Sequence, residues 1–229
     1  MDWEAYIDAT VARYDRWIAE GRMVCSSKVV PVGESLRLRQ WVMPGEQVLE
    51  YLRASPSIAL ADCRCRALAR RCDKPLDVCL YLGPFAERNV ARGRARAVSL
   101  DEARAALGRA DESGLVHLTL YNEHRAVFAV CSCCECCCHD LHLLKRRGRV
   151  DLVARSEYVS VTEPDGCVHC GACVDRCVFG ARALEADRMI YCADRCYGCG
   201  LCVSVCPAGA TRMEERPRQP TGPSPGTRP

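Results

Sequence analysis

Eight cysteines near the carboxyl end of the chain share one repeated spacing. They form two groups of four with the pattern C-x2-C-x2-C-x3-C, and a shift of 29 residues maps one group onto the other. The groups are Cys167, Cys170, Cys173 and Cys177, and Cys196, Cys199, Cys202 and Cys206. The same shift maps Gly171 onto Gly200. The spacing therefore indicates an internal duplication whose thiols bind metal.

The chemistry of a cubane iron–sulfur cluster explains this spacing. Such a cluster needs four thiolates at the corners of a tetrahedron, and three cysteines on a tight loop can surround one face of it. Gly171 and Gly200 let the backbone approach closely and adopt positive φ. Zinc binding and structural disulfides are the alternatives, and eight cysteines duplicated at this spacing favour iron–sulfur chemistry. Cys192 lies outside the pattern, and we expect it to be a spare buried thiol.

Residues 166–210 resemble the bacterial two-cluster ferredoxin domain, with one departure: Val178 stands where the second half has Pro207. In that family the fourth cysteine of each motif ligates the other cluster. The resemblance therefore implies two [4Fe–4S] clusters with crossed ligands. One would be held by Cys167, Cys170, Cys173 and Cys206, and the other by Cys196, Cys199, Cys202 and Cys177.

Ten further cysteines lie in two earlier segments, with the spacing C-x-C-x6-C-x6-C over residues 63–79 and six thiols within residues 131–138. Ten thiols would supply two more cubane clusters with two thiols left over, so we predict one or two additional iron–sulfur clusters. The predicted ligands are Cys63, Cys65, Cys72, Cys79, Cys131, Cys133, Cys134 and Cys137. Zinc, or redox-active thiols without a cluster, are the alternatives. We expect His139 and His142 to make local polar contacts.

Two predicted strands, at residues 57–62 and 126–130, each lead into one of these cysteine-rich segments. If the two strands neighbour each other in a parallel sheet, both segments lie at its carboxyl edge. Apolar periodicity predicts helices over residues 2–20 and 46–54, and the capping box of Ser99 and Glu102 begins another helix that runs to about Ser113. We expect a strand at 115–120, an exposed linker at 145–157 and a strand at 158–161.

The predicted fold class is α+β, with three parts. A cysteine-rich domain of mixed α/β structure covers residues 1–150, a ferredoxin-like dicluster domain with pseudo-twofold symmetry covers 151–212, and a disordered tail covers 213–229. The cysteine pattern from about residue 45 to 212 is similar to that of bacterial and archaeal ferredoxin-fused 4Fe–4S-binding proteins of uncharacterised function. The paired cysteines also faintly resemble the CCG domain of heterodisulfide reductases, although Glu135 replaces the glycine.

Composition narrows the possible functions. The 20 cysteines indicate metal rather than disulfides in a chain with no recognisable signal peptide, so we expect a reducing cytoplasm. No apolar run approaches the roughly 18 residues of a membrane span. The formal charge is +3. Two tetrathiolate clusters would bring the net charge to about −1, so nucleic acid is not an expected partner. The sequence also lacks a P-loop and a G-x-G-x-x-G motif.

Three functions fit these residues. The first is an electron-transfer protein whose two C-terminal clusters relay electrons between a partner oxidoreductase and an N-terminal metal centre. The second is an iron–sulfur reductase whose N-terminal centre binds and reduces a substrate. The third is a cluster-bearing sensor, which the absence of a helix-turn-helix pattern disfavours.

Overall fold

The computed structural model describes residues 2–22, 27–30, 44–121 and 126–216. In the part before residue 150, the helices are α1 (Trp3–Ala19), α2 (Pro44–Ala54), α3 (Arg64–Ala69), α4 (Gly83–Ala91), α5 (Leu100–Glu112) and α6 (His139–Arg147). The strands there are β1 (Ser27–Val30), β2 (Ile58–Asp62), β3 (Asp77–Leu82), β4 (Arg96–Ala97), β5 (Val116–Tyr121) and β6 (Val127–Cys133). The predicted helices and strands of this part are therefore present.

These strands and β7 (Val153–Ala154) form one sheet with the order β4-β2-β3-β6-β5-β1-β7. Strand β3 lies between β2 and β6 and is antiparallel to both. The expectation of a parallel sheet with β2 and β6 as neighbours is therefore wrong. Both strands nevertheless run in the same direction, so the cysteine-rich segments that follow them lie at the same edge of the sheet.

Side-chain alternation gives the sheet two different faces. On one face, Leu60, Leu80 and Val130 pack against α2 and α5 in a hydrophobic cluster. On the other face, Cys79 and Cys131 point toward the side covered by α1 and α6. The second face therefore carries Cys79 and Cys131, whereas Cys134 and Cys137 pack with Val78 and with Ala110 of α5.

Helix α1 covers the thiol-bearing face because its apolar residues recur at helical spacing. Trp3, Ile7 and Tyr14 are buried together with Leu118 of β5 and Leu141 of α6. The Asp2 side chain caps the helix by accepting a hydrogen bond from the Ala5 N–H at 2.8 Å. The helix thereby forms one side of the space above the cysteines.

The described part after residue 157 consists of two strand pairs, two short α-helices and the 3-10 helix Ala193–Arg195. Strand β8 (Tyr158–Thr162) pairs with β11 (Thr211–Glu215), and β9 (Arg182–Glu185) pairs with β10 (Arg188–Tyr191). The α-helices are α7 (Ala172–Asp175) and α8 (Leu201–Ser204). Gly171 and Gly200 precede them with φ of 79° and 80°. The 29-residue repeat of the sequence is therefore also a repeat of backbone conformation.

Two expectations about the ends of this part need correction. Lys145–Arg147 are exposed as expected but belong to α6 and not to a linker, and Leu152 is fully buried. Arg149 forms ion pairs with Asp15 of α1 and with Asp151, so the connection is packed against the first helix. Residues 213–215 belong to β11 instead of a tail, and 217–229 lie outside the described residues.

Candidate metal centres

The first C-terminal site, which we call the outer group, consists of Cys167, Cys170, Cys173 and Cys206. These four residues line one small cavity of about 20 Å³, with Thr162 and Met189 among its other walls. Three of the cysteines come from the first repeat and one comes from the second. Cys170 is exposed and the other three are half-buried. The outer group therefore lies at the protein surface.

The second C-terminal site, the inner group, consists of Cys177, Cys196, Cys199 and Cys202. Burial raises the pKa of Cys199, and the neighbouring Cys202 and Cys177 raise it further. Backbone amides donate to two of the sulfurs: the Ala181 N–H to Cys177 Sγ and the Gly198 N–H to Cys196 Sγ, each at 3.3 Å. Cys196, Cys199 and Cys202 are buried. The inner group is therefore enclosed, in contrast to the outer group.

Arg182 lies between these two groups. It is only 4% exposed, and its guanidinium donates to Thr162 Oγ1 at 2.8 Å, Ser160 Oγ at 3.1 Å and Cys173 Sγ at 3.7 Å. Burial alone would lower its pKa, yet Cys202 and Cys173 raise that pKa above the ordinary value. Within the described residues it forms no ion pair with a carboxylate. A buried cation of this kind requires a negative charge nearby, which ligated thiolates supply.

The third site, the four-thiol group, consists of Cys72, Cys134, Cys136 and Cys137. All four sulfurs lie within 4.8 Å of one another, and the shorter separations, such as Cys72 to Cys134, are 3.8 Å. Cys72 comes from the loop after α3, and the other three come from the loop after β6. Burial raises the pKa of Cys72, but the Lys74 backbone N–H and neighbouring thiols lower it overall. This compact arrangement of donors is suited to a metal ion or cluster.

The fourth site, the six-thiol group, contains the remaining cysteines of the two segments. Its members are Cys63, Cys65, Cys79, Cys131, Cys133 and Cys138. Hydrogen bonds from Cys65 and Cys79 lower the pKa of Cys63 to about 2. Hydrogen bonds from Cys133 and Cys79 lower the pKa of Cys131 to about 5. The thiols thus form one connected row, in which the anionic form is favoured at Cys63 and Cys131.

Arg66 occupies the position between the six-thiol and four-thiol groups. It is 2% exposed, and its guanidinium donates to the carbonyls of Pro75 and Ser132 and, at 3.6 Å, to Cys134 Sγ. Burial would lower its pKa, but Cys134 and Cys63 raise it above the ordinary value. No carboxylate pairs with it among the residues that the structure describes. Arg66 is thus a buried cation between the two N-terminal groups, as Arg182 is between the two C-terminal groups.

His139 connects the six-thiol group to α1. Its Nδ1 lies 3.0 Å from Cys65 Sγ, and its Nε2 lies 2.9 Å from the Tyr14 hydroxyl. That hydroxyl donates to Asp140 at 3.4 Å. His142 instead packs edge-on against Trp3, with ring centroids 6.0 Å apart. His139 therefore makes the expected polar contacts, whereas the His142 ring makes an aromatic contact.

A cavity of about 980 Å³ adjoins the six-thiol group, between α1 and the sheet. All six thiols of that group line it. Small-molecule sites in proteins have volumes of roughly 300–1,000 Å³, so this cavity is large enough for a ligand. The sequence offered no direct signal for it, because the lining residues come from segments that are far apart in the chain.

The structure gathers the predicted ligands of the four-thiol, six-thiol and outer groups around common spaces, and their role as metal ligands, like that of the inner group, stays a prediction. It also places Cys136 in the four-thiol group and Cys138 in the six-thiol group, although the prediction omitted both. Consecutive thiols carry no spacing signal that could have included them. Cys192 is exposed, so the expectation that it is buried is wrong. Arg66 and Arg182 were not singled out, because nothing in the sequence distinguishes them from other arginines.

Comparison with protein-family models matches residues 193–211 to the 4Fe-4S binding domain, Fer4. The match covers the second of the two repeats and includes Cys196, Cys199, Cys202 and Cys206. Comparison with curated proteins finds no match. The family match and the clustered cysteines support an iron–sulfur protein with at least one [4Fe–4S] cluster.

Among the described segments, none of the helices has the length and apolar character that a membrane span requires.

Proposed function

We propose that this protein transfers electrons between a partner oxidoreductase and its N-terminal cysteine groups, using two C-terminal [4Fe–4S] clusters. The outer group would hold one cluster and the inner group the other. The Fer4 match to the second repeat supports this assignment, and the first repeat has the same cysteine spacing and turn conformation. When bound, each cluster supplies reversible one-electron chemistry at its site.

The residues of the two C-terminal groups fit such clusters. Each group would supply four thiols, and backbone amides donate to sulfur at Cys177 and Cys196. Hydrogen bonds of this kind stabilise the negative charge of a cluster and raise its reduction potential. Arg182, which is buried without a carboxylate partner among the described residues, offsets further negative charge from both sides.

The outer group is more exposed than the inner group, and this difference is the main support for an electron relay through the two groups. Cys170 of the outer group is exposed, which gives a partner protein access to that site. Cys199 of the inner group is buried in the same hydrophobic cluster as Cys133 and Cys138 of the six-thiol group. One end of the C-terminal part is therefore open to solvent, and the other end faces the N-terminal cysteines.

The N-terminal groups would hold one or two additional iron–sulfur clusters. The four-thiol group supplies a complete set of four donors, and the six-thiol group supplies more than four. Arg66 donates to Cys134 of the four-thiol group and interacts electrostatically with Cys63 of the six-thiol group. A cation in this position would balance the negative charge of both groups. Zinc would satisfy the same thiols, so the metal must be measured.

Iron and sulfide analysis of anaerobically purified protein tests the number of clusters. The C-terminal pair alone would give about eight iron atoms per chain. We expect clearly more than eight, with equimolar sulfide and little zinc. A value of eight or fewer would remove the additional clusters from the proposal, and iron with no sulfide would remove the clusters altogether.

A matched pair of cysteine variants tests whether the N-terminal centre is separate. Cys134→Ala removes a thiol of the four-thiol group, whereas Cys192→Ala removes an exposed thiol that belongs to none of the four groups. We expect the first variant to lose iron and one EPR signal while the signals of the two C-terminal clusters remain. The second should match the unmodified protein. Loss of the C-terminal signals in Cys134→Ala would contradict separate centres.

The 980 Å³ cavity favours substrate reduction as a second candidate function. A protein that only carries electrons has no need for a ligand-sized cavity beside the six-thiol group. In a reductase, electrons from the reduced partner protein and protons from water would reach a substrate bound there. If the purified protein reduces its partner but converts no small molecule with dithionite as reductant, the carrier function alone remains.

A further inference from the structure

Aromatic side chains are concentrated around the cavity beside the six-thiol group. The chain has fourteen aromatic residues, which comprise three Trp, eight Tyr and three Phe, and eight of those that the structure describes line this one space. Tyr14 and Trp17 of α1 form one wall, with ring centroids 6.1 Å apart. Phe85 lies in the other wall, with its ring centroid 4.8 Å from those of Tyr81 and Phe128. Two aromatic walls favour a ligand with a flat, apolar body.

The charged residues of the cavity are almost all cations. Five arginines line its walls, and Asp140 is the single carboxylate among the described lining residues. Asp140 is itself buried and accepts a hydrogen bond from Tyr14. Arg22 pairs with Glu20, but Arg13, Arg64 and Arg88 pair with no carboxylate in the part of the chain that the structure describes. These arginines make their part of the walls electropositive, so the anionic group of a ligand would pair with them and not with the thiol-bearing wall, where Cys63 and Cys131 favour the anionic form.

Arg13 is the cation best placed to bind such an anion. Its guanidinium carbon lies 5.6 Å and 5.5 Å from the ring centroids of Tyr14 and Trp17, so the group rests on the aromatic wall. Its Nε is buried and has no hydrogen-bond partner among the described residues. The residue as a whole is half-buried and lines the cavity, so the terminal N–H groups of the guanidinium are the ones that would donate to a ligand carboxylate. A guanidinium supported in this way presents its N–H groups in the fork that matches a carboxylate.

We propose that the cavity binds an aromatic or other planar conjugated carboxylate, whose carboxylate group pairs with Arg13 while its ring lies between the two aromatic walls. The six thiols adjoin the same space, so the unsaturated body of the ligand would lie beside the N-terminal centre. This inference rests on the second candidate function, for which it names the substrate class. Binding can nevertheless be measured without any electron transfer.

Calorimetry on the iron–sulfur-loaded, full-length protein under anaerobic conditions tests the proposal with three probes. Cinnamate is a planar aromatic carboxylate, cinnamamide is its neutral counterpart and hexanoate is a non-aromatic anion. We expect cinnamate to bind at least about tenfold more tightly than either of the others, since a charged hydrogen-bonded pair and ring contacts each contribute that much. Equal affinity of cinnamamide, or no binding of cinnamate at millimolar concentration, would overturn the proposal.

Two arginine variants of α1 sharpen the test. Arg13→Gln should weaken cinnamate binding at least about tenfold and leave cinnamamide binding within about twofold. Arg16→Gln changes an exposed arginine of the same helix that does not line the cavity, and it should leave both affinities unchanged. An equal loss in both variants would contradict the role of Arg13.

Because the probe comparison uses the unmodified protein, the proposal stays testable even if Arg13→Gln is unstable. If cinnamate binds but the loaded protein reduces no planar carboxylate, the site stands and substrate reduction fails.

Discussion

At the scale of single residues, the structure repeats one arrangement: a buried arginine between two groups of thiols. Arg66 lies between the N-terminal groups and Arg182 between the C-terminal groups, and neither pairs with a carboxylate among the described residues. A buried charge without a partner costs several kcal/mol, so these positions make sense when the thiols carry negative charge. The two arginines thus argue for anionic centres independently of cysteine spacing.

Replacing Arg182 with Gln should lower the reduction potential of the C-terminal clusters, because a reduced cluster carries more negative charge and the variant lacks the cation that contacts Cys173. An interaction on the order of 1–3 kcal/mol corresponds to a fall of roughly 40–130 mV for one electron. Redox titration followed by EPR measures the potentials. Arg182→Lys keeps the charge and should show a smaller fall. Unchanged potentials in Arg182→Gln at full iron content would contradict this role.

At the scale of elements, α5 packs on the face of the sheet opposite Cys79 and Cys131. Ala103, Ala106 and Leu107 of this helix are buried against Leu80 of β3 and neighbouring residues. The helix begins at the capping box in which Ser99 accepts from the Glu102 N–H at 3.2 Å and Glu102 accepts from the Ser99 N–H at 2.9 Å. Local sequence signals were sufficient to predict this helix, because capping depends on residues three positions apart.

Ser99→Ala should destabilise the protein by about 1 kcal/mol, because the Glu102 N–H loses its acceptor. For a chain of this size, that corresponds to a fall of roughly 2–4 °C in the melting midpoint. Circular dichroism at a fixed scan rate measures the midpoint. Ala105→Ser, at an exposed position of the same helix, should change the midpoint less. Equal effects of the two substitutions would show that the cap does not stabilise the helix.

At the scale of the whole molecule, the two parts share one hydrophobic core. Trp3 and Ile7 of α1 belong to the same cluster as Tyr197 and Leu201 of the second repeat. Phe179 packs against this cluster and stacks on Tyr197, with ring centroids 4.5 Å apart. We therefore expect the parts before and after residue 150 to unfold together, although the sequence predicts a domain boundary there.

Leu201→Ala tests this cooperativity, because Leu201 is 1% exposed in the shared cluster. A cavity at such a position costs about 2–5 kcal/mol. Heating should cause a single transition at lower temperature, in which tryptophan fluorescence and cluster absorbance change together. Leu184→Ala, at a leucine that is 48% exposed, should shift the midpoint much less. Two separate transitions would instead support independent domains.

The sequence by itself determined the eight C-terminal cysteines as candidate ligands, because their spacing lies within short loops whose conformation depends on nearby residues such as Gly171 and Gly200. It also predicted most elements before residue 150, since their apolar periodicity and caps are local. Only the tertiary structure sorted the other ten cysteines into groups. Cys72 meets Cys134 across 62 positions because β2 and β6 end at the same sheet edge. The buried arginines and the aromatic cavity depend on the same long-range packing.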